Sequence, residues 1–512
     1  MKKLPIGIQT FSVIKEKDYL YIDKTKEIYD LVDNYRYAFL SRPRRFGKSL
    51  LVTTIKEIFE GNKKLFEGLD IYDKWDWEEK YPVIKIDFNG DLRTPKSLEK
   101  NILHFLKENQ KNLGIECDNT REYDTCFNEL IKKSYEKYNK PVVILIDEYD
   151  KAILDNLDQI EIAHANREIL RAFYSVMKGS DRYIKFVFLT GVTKFSRASI
   201  FSGLNMLEDI SLTPKFGNIC GYTQNDIETV FEPYLEGVDL KQLKLWYNGY
   251  NFLKDRVYNP FNILLFIKNE HRFKNYWFNT GTPSFLVQLF KKGKYNLAGL
   301  ENRVVREEIL DSFELDSLSL ETVMFQSGYL TIKEMKERRN RVEYVLNYPN
   351  LEVKMSFNSY ILNYFVTQIG QKSEVENGLI DMLEITNLDG LEQVLKSLFA
   401  SIAYNNFSKN DIENYEGFYA SVVYAYFAGA GFDKIIAEDA TNYGRVDLSV
   451  FIDDKVYIFE FKVNQSGALA QIKAKNYHQK YLAKFNEIYI VGVEFDSKDR
   501  NIVNYEWEKI KG

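Results

Sequence analysis

The 512-residue sequence predicts an α/β protein: a parallel sheet with flanking helices in front, a mostly helical middle region and a second, smaller α/β unit at the end. Three observations carry this. Four short apolar runs have the length and the β-branched and aromatic content of buried strands: "YAFL" (37–40), "PVIKIDF" (82–88), "PVVILID" (141–147) and "YIKFVFLTG" (183–191). Stretches of helical period separate them, such as "KSLLVTTIKEIFE" and "HANREILRAFYSVMKG". Alternating strand and helix points to a parallel sheet with crossover helices. From about residue 411 a long helix is followed by alternating strands, a helix and the strand "EIYIVGVEF".

Length at roughly 150 residues per domain gives about three domains. The shifts in texture place boundaries at 1–215, 216–290, 291–400 and 401–512. An apolar content of 45% allows sizeable cores, and a net charge of −5 advertises no polyanion partner for the chain as a whole. Tyr and Phe stand at 36 each, which packing accounts for. The cysteines are Cys117, Cys126 and Cys220, with no CxxC pair. That excludes a disulfide framework and a zinc-ribbon site, and fits a reducing compartment. The opening "MKKLPIGIQT" has no apolar core of a signal peptide, and no run of 18 apolar residues follows. The expectation is a cytoplasmic protein with no membrane partner.

In chain order, "DKT" (Asp23 to Thr25) reads as the cap of the helix "KTKEIYDLV", with contact to a nucleotide base as the alternative. The segment "YAFLSRPRRFGKSLLVTTIKEIF" then passes from a strand through a basic loop into a helix. A phosphate-binding loop reads G-x-x-x-x-G-K-[S/T] and cradles phosphates in backbone N–H groups at a helix N-terminus. Gly47 stands where the backbone must approach phosphate, Lys48 is the phosphate lysine, and Ser49 is the hydroxyl for Mg²⁺. Arg44, Arg45, Phe46 and Leu50 complete the cradle, with Arg44 and Arg45 either near the phosphates or in solvent. Arg42 occupies the first glycine position, and Pro43 beside it is rigid in φ.

"PVVILIDEYD" ends an apolar strand in two acids. In phosphate-loop ATPases such an aspartate, here Asp147, helps hold Mg²⁺. The glutamate after it, Glu148, would polarise the attacking water. "FVFLTGVTKFSRASIF" places Thr190 and Thr193 just past a strand, either sensing a γ-phosphate or capping a turn. Arg167, Arg171 and Arg197 are candidate finger arginines. Further on, "TQNDIETVFEPYLEG" and "LKQLKLWYNGYNF" read as short helices with glycine stops, and "RVEYVLNYPNLEVKMSF" as a strand-like insert among helices.

These motifs together resemble the bacterial AAA-ATPase-like family with a fused nuclease-like C-terminus. The matching residues are "YLYIDKT" (19–25), "LSRPRRFGKS" (40–49), "VVILIDEYD" (142–150), "LTGVTKFSRASIFSGLNML" (189–207), "WYNGYNF" (246–252) and "VYNPFNIL" (257–264). The resemblance implies a P-loop NTPase sheet, ATP and Mg²⁺ as ligands, and sites between subunits of a homo-oligomer. It also implies a prokaryotic setting such as defence or mobile-element control. The arginine-rich loop lacking its first glycine is a habit of that family.

The C-terminal segment reads "GRVDLSVFIDDKVYIFEFKVNQSGALAQIKAKNYHQKY". With Asp453-Asp454 as the centre of a hairpin, Asp447 lies opposite Glu460 on one face. Lys462 follows on that face and Phe459 and Phe461 take the other. Two opposed carboxylates repel unless a divalent cation sits between them. Asp447, Glu460 and the Phe461 carbonyl would hold Mg²⁺ or Mn²⁺ for phosphodiester hydrolysis, with Lys462 positioning the nucleophile or stabilising the transition state. Glu416, on the helix "NDIENYEGFYASVVYAYFAGAG", would add a carboxylate. The pattern resembles the PD-(D/E)XK nuclease superfamily through "GRVDLSV", "FEFKV" and "ALAQIKAKNY", with Val446 where the superfamily name has proline. That resemblance implies a nucleic-acid partner, DNA ahead of RNA. Charge adds nothing to it: residues 441–512 hold 11 Lys plus Arg against 10 Asp plus Glu. Tyr443, Tyr477 and Tyr481 either stack on bases or pack, and His478 reads as a surface neighbour of the site.

Overall fold

The computed structural model describes the chain apart from residues 196–199, 202–203, 279–285, 287–296, 312, 317, 366–368 and 403–415. Two compact units emerge: Met1–Thr280 with Val305–Tyr344, and Gly281–Val304 with Val345–Gly512. The segment 291–400, read from sequence as one linking region, is divided between them.

The first unit is built on five strands: β1 (Tyr37–Ser41), β2 (Val83–Asp87), β3 (Val142–Asp147), β4 (Ile184–Gly191) and β5 (Glu208–Asp209). Their order is β2-β3-β4-β1-β5, and every pairing is parallel. The four apolar runs of the sequence are the first four strands. β3 is buried at every residue. Its unbroken apolar run follows from helices covering both faces of a parallel sheet. Helices Lys48–Phe59, Pro95–Leu113, Tyr123–Tyr138 and Ile160–Gly179 are the crossovers. Asp23 Oδ1 accepts from the Thr25 amide at 2.8 Å and Oδ2 from the Asp70 amide at 2.8 Å. "DKT" thus starts the helix Thr25–Asn34 and ties it to residue 70.

Beyond the sheet, short helices Gln224–Thr229, Leu240–Tyr247 and Pro260–Lys268 surround a hairpin of β6 (Asn248–Asn251) and β7 (Arg256–Tyr258). "WYNGY" therefore does not end in a glycine cap. The helix stops at Tyr247, and Gly249 (φ 135°) lies in β6. Residues 303–347 supply β8 (Arg303–Arg306), β9 (Thr331–Arg338) and β10 (Arg341–Asn347), in the order β8-β10-β9. The strand-like reading of "NLEVKMSF" fails, because Leu351–Phe365 is a helix. Asn350 Oδ1 accepts from the Val353 amide at 3.1 Å and starts it. Burial of most positions from 351 to 358 erases the period that would have marked it as helical.

The second unit ends in a five-stranded sheet of β11 (Ile435–Thr441), β12 (Gly444–Ile452), β13 (Lys455–Val463), β14 (Glu487–Asp496) and β15 (Asn501–Lys511), in that order. Only β13 and β14 are parallel. The helix Glu416–Gly429 precedes the sheet, and Ala468–Ala474 crosses between β13 and β14. Residues 411–415 of the expected long helix lie outside the described residues.

Candidate functional site

At the C-terminal ends of β1, β3 and β4 opens a cavity of about 520 Å³. Arg44, Arg45, Gly47, Lys48, Ser49, Leu50 and Glu148 line it, all of them expected from sequence. The helix Lys48–Phe59 starts at the cavity with Gly47 as its N-cap at φ 91°. Glycine is required there for that backbone angle, since space for a side chain is open. Arg45 takes φ 67° without being glycine. Lys48 Nζ donates to the carbonyls of Arg42 and Pro43 at 2.9 and 3.0 Å, and burial lowers its pKa.

Arg42 explains the missing first glycine. Its side chain is 1% exposed and donates to the carbonyls of Ser41 (2.8 Å), Ser211 (2.8 Å) and Phe216 (3.1 Å). Its guanidinium lies 3.8 Å from the centre of the Phe252 ring. Burial lowers its pKa to about 10. The loop's shape is set here by a buried cation holding distant carbonyls. Phe46 is buried against Tyr250 at 4.7 Å between ring centres and lines a smaller, mainly apolar cavity beside the first.

Glu148 adopts φ 54°, a costly angle for a non-glycine residue and one that clusters at functional sites. Burial, then the neighbouring Asp147, raises its pKa. Asp147 itself is 1% exposed: Oδ1 accepts from the Glu148 amide at 3.0 Å, and Oδ2 is buried without a partner. Asp147 does not line the cavity; its charge acts on Lys48, and its orphaned carboxylate oxygen is a donor of the kind that fits a Mg²⁺ ion.

Thr190 requires a correction. It is fully buried, and its hydroxyl donates to the Leu40 carbonyl at 2.8 Å because β4 lies alongside β1. It does not line the cavity. Thr193 donates through its amide and hydroxyl to Asp150 Oδ2, at 2.6 and 2.5 Å. Arg167 and Arg171 flank Glu168 and do not line the cavity either. Arg197 lies outside the described residues. Sequence reasoning missed Asp150, Lys151 and Asn89, and the N-terminal residues Pro5, Gly7, Ile8 and Gln9, which also line the cavity. The fourth letter of "DEYD" was the available signal for Asp150. That residue is 1% exposed and anchors the turn after β4.

In the second unit the β12–β13 ladder runs from Leu448↔Phe459 to Ile452↔Lys455, which is the expected register. Its pairing stops one residue short of Asp447 and Glu460. There Asp447 Oδ2 accepts from the Phe461 amide at 2.7 Å. Phe459 and Phe461 are fully buried on the other face. Glu460 is 1% exposed; Oε1 accepts from Lys462 Nζ at 3.2 Å and from Gln471 Nε2, and Oε2 is buried without a partner. Glu416 Oε1 lies 3.7 Å from Lys462 Nζ. Gln471 reaches Glu460 because Gly492, paired with Glu460 on β14, has no side chain where the helix Ala468–Ala474 passes. Glu494 starts that helix by accepting from the Gly467 and Ala468 amides.

The electrostatics are those of two carboxylates in one confined place. Burial, then Glu460, raises the Asp447 pKa to about 8. Burial raises that of Glu460 despite Lys462. Burial works against the Lys462 ammonium, yet Glu460 and Glu416 outweigh it and raise its pKa. Among the described residues no group of three or more His, Cys, Asp or Glu side chains is arranged to hold a metal ion. The donor set that fits a divalent cation is the pair Asp447 and Glu460, with the unpartnered Oε2 as the vacancy in their hydrogen bonding. Tyr477 and Tyr481 are 1% and 3% exposed and pack, whereas Tyr443 is 59% exposed. His478 has a buried, unpartnered Nδ1, and burial lowers its pKa.

A family model for AAA-ATPase-like proteins, described as "Predicted AAA-ATPase", matches residues 5–201. One for the PD-(D/E)XK nuclease superfamily matches residues 414–505. An uncharacterized protein in the vnfD 5′ region of Azotobacter chroococcum mcd 1 is 44% identical over 515 residues, covering 99% of each chain. The chain belongs to this family of AAA-ATPase-like proteins with a C-terminal PD-(D/E)XK domain. In this AAA-ATPase-like chain the first match covers the loop, β3 and β4, and the second covers Glu416, Asp447, Glu460 and Lys462. The curated relative carries no assigned activity in its name. Among the described residues no helix is long and apolar enough to cross a membrane.

Proposed function

We propose that this protein binds and hydrolyses ATP in its first unit and uses its second for divalent-metal-dependent cleavage of nucleic acid, DNA ahead of RNA. The observation that supports the ATP reading is one cavity lined together by Arg44, Arg45, Lys48, Ser49 and Glu148. Phosphate would sit on the N–H groups at the start of Lys48–Phe59. Lys48 would turn from the Arg42 and Pro43 carbonyls to the phosphates, and Ser49 and Asp147 would hold Mg²⁺. Glu148, its proton affinity raised by burial, would take the proton of the attacking water. The smaller cavity, lined by Tyr21, Ile28, Leu51 and Tyr222 among others, suits a nucleotide base.

The nuclease reading is supported by the unpartnered Glu460 Oε2 next to the high-pKa Asp447. A divalent cation, when bound, supplies the Lewis acidity that phosphodiester hydrolysis calls for. Asp447 and Glu460 would hold it. Gln471 orients Glu460, and Lys462 supplies a fixed positive charge toward the phosphate. A second reading, an ATP-dependent regulatory or scaffold protein whose nuclease fold binds nucleic acid or a partner without cleaving, is supported by Lys462, whose ammonium is already engaged by Glu460 and Glu416.

The test is cleavage of linear duplex, circular and single-stranded DNA and of RNA by the purified chain, with Mg²⁺ or Mn²⁺, with and without ATP. Cleavage should vanish in Glu460→Ala and Lys462→Ala. Any ATP dependence should vanish in Lys48→Ala. Binding with no cleavage under any condition would replace the nuclease reading by the second one. Cleavage unaltered by ATP and by Lys48→Ala would show the two activities to be uncoupled.

A further inference from the structure

The carbonyl of Arg44 is held from two directions. Asn259 Nδ2 donates to it at 3.3 Å and Trp277 Nε1 at 3.1 Å. Asn259 is fully buried and is also the N-cap of the helix Pro260–Lys268. Its Oδ1 accepts from the Phe261 amide at 2.9 Å, so both ends of the amide are engaged and its orientation is determined. One residue earlier, the loop is wedged at Gly328, where an added Cβ would stand 2.7 Å from the Pro43 ring.

A trans peptide is planar, with its C=O and N–H antiparallel. Holding the Arg44 carbonyl therefore turns the Arg45 N–H away from Asn259 and Trp277. Anion cradles depend on how such N–H groups point. In a glycine-rich loop that orientation comes with backbone freedom; here Arg45 sits at φ 67° with a side chain. The carbonyls of Arg42 and Pro43 are held by Lys48, a group that phosphate would compete for. The hold on Arg44 uses neither Lys48 nor Ser49, so phosphate does not compete directly for its donors.

We infer that Asn259 and Trp277 are positioning residues for the nucleotide phosphates, locking the Arg44–Arg45 peptide in its binding orientation, and that the Trp277 indole senses occupancy of the loop. This rests on the nucleotide reading. It assigns work in the first site to the otherwise unexplained motif "VYNPFN" and to Trp277.

The experiment measures Kd for Mg²⁺·ATP on the full-length parent, Trp277→Phe, Asn259→Asp and Lys48→Ala, alongside the melting temperature of each. Trp277→Phe removes one donor without a change of charge. Asn259→Asp keeps the capping acceptor and removes the other donor. Each is expected to weaken binding roughly fivefold, the worth of one hydrogen bond. ATP should change the tryptophan emission of the parent and not that of Trp277→Phe. Both variants binding within twofold of the parent, or an emission change that survives Trp277→Phe, would overturn the inference and leave the nucleotide reading standing. A parent with no saturable ATP binding would overturn that reading itself, and the inference with it.

Discussion

Restoring the glycine that the phosphate-loop pattern calls for should damage this protein. Arg42→Gly completes G-x-x-x-x-G-K-S on paper. In the structure it deletes three hydrogen bonds from a buried cation and the stack on Phe252. Each charge-assisted bond is worth roughly 2 kcal/mol, and the desolvated cation–π contact about 2 kcal/mol. Keeping the guanidinium dehydrated costs roughly 3 kcal/mol, judged from a pKa lowered to about 10 at 1.36 kcal/mol per tenfold in proton affinity. The net loss is about 5 kcal/mol, before the added backbone freedom of glycine. Urea unfolding followed by tryptophan emission is the assay, since Trp75, Trp77, Trp246 and Trp277 fall in the first unit and only Trp507 in the second. With a slope of about 3 kcal/mol per M, the midpoint of the first unit should fall by more than 1 M, and ATP binding should go with it. An Arg42→Gly protein of unchanged midpoint that binds ATP as well as the parent would refute the account of the loop.

Other expectations follow from the same geometry. Because the folded Asp447 carboxyl binds its proton up to about pH 8, it favours the folded state below the ordinary carboxylate range, and that stability is lost as pH rises through 8. Melting temperature should therefore fall between pH 5 and 8.5 in the parent and less in Asp447→Asn, with Mg²⁺ or Mn²⁺ restoring it only in the parent; parallel profiles would count against the carboxylate pair. Gly191→Ala drives a Cβ into Asp150 Oδ1 and the Tyr149 ring and should cost about 1–3 kcal/mol in thermal unfolding, an expectation defeated by an unchanged transition. Thr190→Val should lower stability by about 1 kcal/mol and leave the ATP Kd alone; a tenfold loss of affinity would return Thr190 to the site. Glu148→Gln should retain ATP and lose roughly a hundredfold or more in hydrolysis, and full turnover in that variant would remove Glu148 from the chemistry.

The parts legible in the sequence were those written in local pattern. β3 is an unbroken apolar run because both faces are covered, and that needs no partner to read. The Asp453-Asp454 turn set the hairpin register, and it brings Asp447 and Glu460 close enough to act on each other's charge. What was illegible depends on partners far along the chain. Arg42 looks like a basic loop residue until Ser211, Phe216 and Phe252 surround it. Thr190 has the composition of a sensor, but the carbonyl of Leu40, its neighbour on β1, takes the hydroxyl. The helix Leu351–Phe365 was mistaken because a helix covered on most sides shows no amphipathic period.

The grip on the loop has a consequence for how the site comes into being. The family match ends at residue 201, and the strand that carries the loop ends at Ser41. The residues that accept from the Arg42 guanidinium, stack on it or donate to the Arg44 carbonyl follow later, at Ser211, Phe216, Phe252, Asn259 and Trp277. During synthesis the N-terminal half of the first unit leaves the ribosome with its basic loop unsupported. A fragment cut near residue 215 would carry every letter of the motif and none of the last three of these supports. Full affinity for a nucleotide would thus arrive late, after residue 277 has emerged, and a truncated or nascent chain would bind ATP more weakly than the complete unit.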